Sequence, residues 1–282
     1  MSARPSTTLP APETGFAHRA LKRTAATVDR VRRPARGLVV LIYHRVGGGS
    51  GLAVDLDPGA FEAQIEWLAA SGRVVTMTRA LEMVAAPAVP ELDPIVVTFD
   101  DGTADFAEVA VPILARHHVP ALMYLATDFV DTGRAFPDAG RPMSWAAAHD
   151  CRSSGYVEFG SHTHTHALLD RLEPAAIDAE LDRSIELIAD RLGCVAQDFA
   201  YPKALPPNAA ADSAVRARFR SAVLAGTRSN RYGSTDLHRI ARSPIQTHDG
   251  FAYFLRKAAG GMAFEDSARA ILNRVRYSGA TS

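Results

Sequence analysis

The chain has few cysteines and no run of residues that is apolar enough to cross a membrane. Its 282 residues include two cysteines, Cys151 and Cys194, which is too few for a disulfide-stabilised scaffold. No stretch approaches the roughly 20 consecutive apolar residues that a membrane-spanning helix needs. Residues 1–17 are rich in Pro, Thr and Ala. Because they lack the apolar core of a signal peptide, we expect a cytoplasmic protein.

An excess of charge of either sign is also missing. Lys and Arg number 31, Asp and Glu number 31, and the formal net charge is zero. Proteins that bind nucleic acid through their folded body usually carry a basic surface, so we expect no nucleic-acid partner. The 47% of hydrophobic residues and 22% of charged residues are typical of globular proteins. The length suits one large domain, such as an α/β barrel.

Positive charge is concentrated in residues 18–36, where Asp29 is the single acid. Apolar residues are interleaved, so this segment could form a basic helix on an anionic membrane surface. The alternative is a solvated helix packed against the body. We predict an arm over residues 1–36, a single domain over 37–282, and a peripheral position at the inner face of the membrane. The basic residues of the arm are Arg19, Lys22, Arg23, Arg30, Arg32, Arg33 and Arg36.

Beyond the arm, strand-like and helix-like patterns alternate. Such alternation predicts βαβ units and a parallel sheet, and about seven units favour closure into a barrel. Short apolar runs predict strands at 38–43, 74–77, 95–99, 121–126, 155–160, 199–202, 219–224 and 240–245. Helical patterns start at 58 and cover 107–117, 145–153, 174–192, 251–258 and 264–276, and 128–142 is predicted to be a loop.

Two adjacent carboxylates follow the predicted strand at 95–99. Neighbouring side chains of a strand point to opposite faces. However, Gly102 permits a tight turn directly after Asp100 and Asp101, so both could reach one cavity. One carboxylate could then bind a metal while the other accepts a proton from water. The alternative is an ordinary turn with a helix N-cap.

Three histidines within five residues, His162, His164 and His166, follow the predicted strand at 155–160. A helical turn would bring His162 and His166 together, whereas an extended chain would place all three on one face. Either geometry predicts a metal site of nitrogen and oxygen ligands, which suits zinc, cobalt or nickel. Chemistry in α/β barrels occurs at the carboxyl ends of strands. We therefore expect the acidic pair and the histidines to line one mouth, together with Tyr201.

Two further histidines are candidates for proton transfer. His44 ends the first predicted strand, where it could hydrogen-bond to a metal ligand or carry a proton. The alternative is a hydrogen-bonded structural histidine. His248 follows the last predicted strand and could act as a general acid.

These motifs resemble those of the polysaccharide deacetylase family, the NodB-homology carbohydrate esterases of family 4. The run TFDDG at 98–102 is similar to the first motif of the family, and HTHTH at 162–166 is similar to its His-Ser/Thr-x-x-His motif. The resemblance covers residues 38–250. The runs YHRV at 43–46 and FAYP at 199–202 resemble the branch often found with bacterial exopolysaccharide synthesis.

The resemblance implies a distorted (β/α)7 barrel that removes N-acetyl groups from an amino sugar. It implies that Asp100 is the general base and that Asp101, His162 and His166 hold a divalent metal. Zinc is the expected metal, with cobalt and nickel as alternatives. The metal and a backbone N–H near Tyr201 would stabilise the oxyanion.

The sequence departs from the family pattern at two positions that matter for catalysis. Many members have, where Ala200 stands, an arginine that pairs with the base, so the sequence leaves open what orients Asp100. The last family motif, Leu-x-His, has no clean match, which leaves His248 and His238 as late candidates for the general acid. The residues expected around the substrate or behind the metal ligands are His44, His164, Tyr201 and Pro202.

Three functions are compatible with these motifs. The first is a metal-dependent N-deacetylase acting on an amino-sugar polymer, an oligosaccharide or a glycan precursor, and this is our prediction. The second is a hydrolase of another non-peptide C–N bond, such as a formamide or a cyclic imide. The third is a non-catalytic carbohydrate-binding scaffold. The complete set of Asp100, Asp101, His162 and His166 argues against a scaffold, which need not retain it.

Overall fold

A computed structural model describes residues 22–25, 27, 33–86, 88–204 and 206–264. Seven parallel strands close into a barrel, which confirms the predicted (β/α)7 architecture. In chain order the strands are β1 (Val39–Tyr43), β2 (Ile95–Asp101), β3 (Ala121–Leu125), β4 (Val157–Ser161), β5 (Asp198–Ala200), β6 (Ser221–Ala225) and β7 (Ile240–Pro244).

Neighbouring strands of the barrel pair over different lengths, and the barrel is distorted in this sense. Strand β1 pairs along its whole length with β2, from Val39 opposite Ile95 to Tyr43 opposite Phe99. Its pairing with β7 is limited to two registered positions, and β4 meets β5 at one, Ser161 opposite Phe199. The strand order therefore follows the chain around the barrel, so the carboxyl ends of all seven strands form one mouth.

Helices cover the outside of the barrel. They are α1 (Pro58–Ala70), α2 (Met77–Ala85), α3 (Val111–Arg116), α4 (Thr127–Thr132), α5 (Trp145–Ser153), α6 (Pro174–Leu192), α7 (Ala209–Arg218) and α8 (Gly250–Ala258). Shorter elements are a π-turn at Phe106–Ala110, 3-10 turns at Leu169–Arg171, Pro202–Ala204 and Thr247–Asp249, and a paired ribbon of Arg45–Val46 with Asp55–Leu56. The Asp57 side chain accepts a hydrogen bond from Ala60 N and so caps α1, in which Pro58 is the first residue.

Two apolar layers hold the barrel together. Between strands and helices, the ring of Phe99 packs on Tyr43 at 5.4 Å and on Phe61 at 5.9 Å between centroids. Inside the barrel, Val40, Val96 and Leu122 are buried with residues of α2. Burying each such side chain contributes about 1.5–3 kcal/mol. This packed interior leaves the mouth as the place where polar side chains converge.

The structure corrects three of the predicted elements. The strand predicted at 74–77 is a single bridge from Val74 to Ile95, because the Thr76 side chain caps a helix that starts at Met77. The helix predicted at 107–117 contains the π-turn, because Pro112 cannot donate to the hydrogen-bond ladder. The loop predicted at 128–142 contains most of α4.

Part of the N-terminal arm contacts the body. Residues 22–25 are helical, and Lys22 and Ala25 are buried. The ammonium of Lys22 pairs with the buried carboxylate of Asp249, to which Lys257 also donates at 2.9 Å. Apart from Thr27, the rest of the predicted arm before residue 33 lies outside the described residues, and so does the helix predicted at 264–276 apart from its first residue. Within the described ranges, no helix is both long and apolar enough to cross a bilayer.

Candidate active site

The two adjacent carboxylates both reach the mouth of the barrel, because the backbone reverses direction between them and the next helix. Asp101 has a φ of 74° and Gly102 a φ of 100°. A Cβ atom at Gly102 would lie 2.5 Å from the Leu125 side chain, so the turn requires glycine. As a result, Asp100 Oδ2 lies 3.8 Å and Asp101 Oδ1 lies 3.7 Å from His162 Nε2.

The histidine segment is a loop, and neither geometry predicted for it is correct. Thr163 and His166 have φ values of 65° and 62°, which belong neither to a helical turn nor to an extended strand. The loop folds back so that the rings of His162 and His166 lie 4.8 Å apart between centroids. His164 is directed elsewhere: its Nδ1 lies 3.0 Å from the Thr127 hydroxyl.

Asp101, His162 and His166 form a group that suits a divalent cation. Each offers one ligand atom, and these atoms all lie within 4.8 Å of one another. Asp101 Oδ1 is 3.7 Å from His162 Nε2 and 3.6 Å from His166 Nε2. In a tetrahedral zinc site with bonds of about 2.0–2.1 Å, ligand atoms are about 3.4 Å apart. The two distances from Asp101 are therefore close to the spacing that such a metal requires.

Hydrogen bonding and burial leave both imidazoles ready to donate lone pairs. His162 Nδ1 lies 2.8 Å from the carbonyl oxygen of Ala200. A carbonyl only accepts, so Nδ1 carries a proton, and Nε2 is the nitrogen of His162 that can bind a cation. Burial, together with the positive influence of His162, lowers the pKa of His166 to about 4. At neutral pH His166 is therefore a neutral imidazole, as metal binding demands.

Asp100 is held by a buried arginine that the sequence analysis missed. The guanidinium of Arg242, on β7, donates to Asp100 Oδ1 at 2.6 Å and to Oδ2 at 2.7 Å, and to the Thr98 hydroxyl at 3.2 Å. Burial alone would raise the pKa of Asp100, but Arg242 and His162 outweigh it and hold that pKa well below its usual range. Asp100 is thus an oriented, ionised carboxylate outside the metal-binding group.

Arg242 is the residue that orients Asp100, which the sequence left open because Ala200 stands where many family members have an arginine. The two positions lie on different strands, β5 and β7, but side chains of both strands point into the same barrel, so an arginine from either can reach Asp100. A sequence signal was present: Arg242 interrupts the predicted apolar strand at 240–245. A fully buried arginine is rare unless it is paired, which is a reason to search for an acidic partner at the same mouth.

His44 lies beside this ion pair. Its Nδ1 is buried and has no hydrogen-bond partner among the described residues. Burial lowers the pKa of His44, and the negative charges of Asp101 and Asp100 partly oppose that shift. The imidazole is therefore neutral near pH 7 and sits within the electrostatic reach of both carboxylates.

The late histidines do not join the group. His248 is exposed in the turn Thr247–Asp249 and is not one of the three residues whose ligand atoms gather. His238 precedes β7, at the opposite end of the barrel, where its Nε2 lies 2.8 Å from the carbonyl of Phe219. The role of general acid for His248 therefore stays a prediction.

Tyr201 and Pro202 lie at the mouth but offer little chemistry of their own. Tyr201 packs edge-on against Phe199 at 5.0 Å, and burial raises the pKa of its hydroxyl. Its backbone N–H donates to the carbonyl of Val223 at 3.2 Å, so it is not available for an oxyanion. Lys203 follows in a left-handed conformation, with φ of 53°, and its side chain is exposed.

This chain is similar to known proteins in sequence and in fold. Residues 89–222 match the family model described as polysaccharide deacetylase. The sequence is 24% identical over 229 residues to YxkH of Bacillus subtilis (strain 168), whose name assigns it as a candidate to the polysaccharide deacetylases. The match covers 80% of this chain and 78% of that relative.

Two solved structures show the same fold. IcaB from Ammonifex degensii superposes with a TM-score of 0.68 at 24% identity, covering 80% of this chain and 97% of that one. The Streptococcus pyogenes deacetylase PplD, determined in complex with acetate, superposes with a TM-score of 0.68 at 20% identity, covering 79% and 98%. These similarities confirm the NodB-like barrel predicted from the motifs.

Proposed function

Because this chain belongs to the polysaccharide deacetylase family, the NodB-homology carbohydrate esterases, we propose that it removes N-acetyl groups from an amino-sugar polymer, oligosaccharide or glycan precursor with the help of a divalent cation. One observation carries the proposal. The ligand atoms of Asp101, His162 and His166 all lie within 4.8 Å of one another. The residue directly before Asp101, Asp100, is held separately by Arg242 at 2.6 Å.

The proposed reaction is hydrolysis of an amide. Asp101, His162 and His166 would hold a divalent cation, and when bound this cation would supply the Lewis acidity that polarises a carbonyl and lowers the pKa of a water molecule. Asp100 accepts the proton that water loses as its oxygen bonds to the acetyl carbon. The carbon–nitrogen bond then breaks, releasing acetate and a free amino sugar. Because Asp100 has a very low pKa, it is a weak base, and the reaction depends on the acidity that the cation gives to water.

We assign the proton donor to His44 instead of His248. The departing amine needs a proton. His44, neutral in the resting site, would take up at its unpartnered, buried Nδ1 the proton that water gave to Asp100, and would then pass it to the amine. The oxyanion donor also needs reassignment within the predicted segment. Tyr201 N–H is engaged with Val223 and Pro202 has no N–H, so the next residue, Lys203, supplies the first backbone donor after the strand.

Release of acetate from a panel of N-acetylated oligosaccharides, with and without chelator, tests the proposal. Asp100→Asn should retain bound metal but lose activity by about 10²–10⁴-fold, the usual contribution of a general base. Asp190→Asn, which alters an exposed carboxylate on α6, is the matched control. Full activity of Asp100→Asn, or activity unaffected by chelator, would contradict the mechanism.

The same assay separates the alternative functions. A C–N hydrolase with other specificity would cleave formamides or cyclic imides and leave the sugars acetylated. A scaffold would bind oligosaccharides without releasing acetate and would not need a stoichiometric metal. Metal analysis of the purified chain, with zinc, cobalt and nickel supplied in turn, identifies the preferred ion.

We also propose that residues 18–36 attach the protein to an anionic membrane at its cytoplasmic face. Lys22 and Arg36 are engaged with Asp249 and Asp93, so the attraction must come from the other basic residues. Each contributes about 1 kcal/mol, so neutralising Arg30, Arg32 and Arg33 should weaken vesicle binding roughly 100-fold. Vesicle binding that is changed neither by these substitutions nor by added salt would refute this attachment.

A further inference from the structure

Helix α6 contacts the histidine loop through one carboxylate. Glu180 Oε2 accepts hydrogen bonds from the backbone N–H groups of His164 at 3.0 Å and Thr165 at 2.8 Å. Glu180 Oε1 accepts one from the Thr165 hydroxyl at 2.8 Å. All three donors lie between His162 and His166, the two imidazoles of the candidate metal group.

The loop needs such support because its backbone is unfavourable. Thr163 and His166 adopt left-handed φ values without being glycine, and such residues persist only where the surroundings hold them. One turn further along α6, Ser184 Oγ lies 2.6 Å from Ser161 Oγ, which in turn accepts from Thr163 N at 3.2 Å. Helix α6 thus holds the start of the loop with a serine and its centre with Glu180.

No competing role accounts for Glu180. Within the described part of the chain it has no Lys or Arg partner, so it is not a surface ion pair. Its carboxylate does not belong to the group of ligand atoms, which is formed by Asp101, His162 and His166. The three hydrogen bonds that this side chain accepts from described residues all come from the histidine loop.

We propose that Glu180 is a positioning residue for the metal site: it fixes the loop so that His166 Nε2 stays beside Asp101 Oδ1, at 3.6 Å. This inference rests on the proposed metal-dependent function and deepens it. Without the carboxylate, two backbone N–H groups and a hydroxyl lose their acceptor, and the strained loop can relax and move His166. Residues that support metal ligands in this way typically change metal affinity by about 10–100-fold when removed.

Metal affinity, measured by competition with a chelating dye, tests the inference independently of turnover. Glu180→Ala should weaken zinc binding about 10–100-fold and alter the visible absorption of bound cobalt, while excess metal restores most of the activity. Glu180→Gln keeps an acceptor for the backbone N–H groups and should remain close to wild type. Glu186→Ala is the control, since Glu186 lies exposed on the same helix beside Arg183.

Thr165→Val is a milder variant should Glu180→Ala fold poorly. It removes the hydroxyl donor and spares the backbone contacts, so it should weaken metal binding in the same direction by a smaller factor. Wild-type affinity in both Glu180→Ala and Thr165→Val would overturn the inference, and so would an equal loss in Glu180→Ala and Glu180→Gln. Failure of the wild-type chain to bind metal would instead overturn the proposed function.

Discussion

Replacing Arg242 by methionine is the sharpest test of how the candidate base is held. The substitution removes both hydrogen bonds to Asp100, at 2.6 and 2.7 Å, and keeps much of the apolar volume. The side chains of Arg242 and Asp100 are 0% and 4% exposed, so solvent does not replace the lost partner. Removing one member of such a buried pair costs about 3–5 kcal/mol.

An independent bound on this cost follows from protonation. A buried carboxylate without a partner can take up a proton. This protonation costs about 1.36 kcal/mol for each unit by which the pH exceeds an ordinary carboxyl pKa of about 3.9. That amounts to about 4 kcal/mol at pH 7 and about 1.5 kcal/mol at pH 5. The two routes agree at neutral pH, and at about 2–4 °C per kcal/mol for a domain of this size the melting temperature should fall by roughly 6–20 °C.

The difference in stability between the wild type and Arg242→Met should depend on pH in a definite direction. In the wild type the pKa of Asp100 is depressed by Arg242 and His162 despite burial. Its stabilising contribution is therefore present above the unfolded pKa and is lost as the pH falls through the folded one. In Arg242→Met the largest opposing charge is gone and His162 alone of the two groups still opposes burial, so that pKa rises. The stability difference between the two proteins should grow with pH above about 4, by about 1.4 kcal/mol per unit, until Asp100 ionises in the folded variant.

Denaturant unfolding at several pH values, on chelated protein so that metal binding does not add stability, measures this difference. Asp100→Asn and the double variant Asp100→Asn/Arg242→Met complete a cycle, in which the double variant should be more stable than the sum of single losses predicts. A stability difference that stays constant between pH 5 and pH 7, or additive losses, would refute the reasoning.

Three other predictions follow from the contacts described. His162→Ala should lose both metal and activity, and unchanged metal content would exclude it as a ligand. His44→Gln should lower kcat by about 10²–10⁴-fold while retaining metal, whereas His248→Gln should leave both unaltered; the opposite pattern, read from acetate release, would return the proton donor to His248. Asp249→Asn leaves two buried lysines without their carboxylate and should lower the unfolding free energy by about 3–5 kcal/mol, so an unshifted urea midpoint would contradict the importance of this cluster.

The fold could be predicted from the sequence where local pattern and tertiary environment agree. The helices at 145–153 and 174–192 have the predicted bounds, because their apolar spacing and their caps indicate the same ends. The strand predicted at 74–77 is wrong because the apolar pair Val74 and Val75 precedes the helix cap at Thr76. A short apolar run does not reveal whether a strand or a helix start will use it.

The site could be predicted in part, for a physical reason. Asp100 and His162 stand in motifs whose chemistry is visible in a few adjacent residues. Arg242 and Glu180 act through partners that lie 142 and 15–16 residues away. A local sequence pattern therefore does not predict the roles of these two residues. The loop geometry at Thr163 and His166 was also beyond reach, because side-chain contacts hold it in a conformation that its own residues disfavour.

The different surroundings of Asp100 and Asp101 explain how two adjacent, chemically identical residues can take different roles. Asp100 points into the barrel, where the fixed charge of Arg242 keeps it ionised despite burial and two hydrogen bonds from Arg242 hold it in place. Asp101 lies where the backbone begins to reverse, is 22% exposed, and faces two imidazoles rather than a guanidinium. A cation competes poorly for a carboxylate that already has a bidentate cationic partner, but it supplies the positive charge that Asp101 lacks. The position of Arg242 therefore decides which of the two acids remains free to accept a proton.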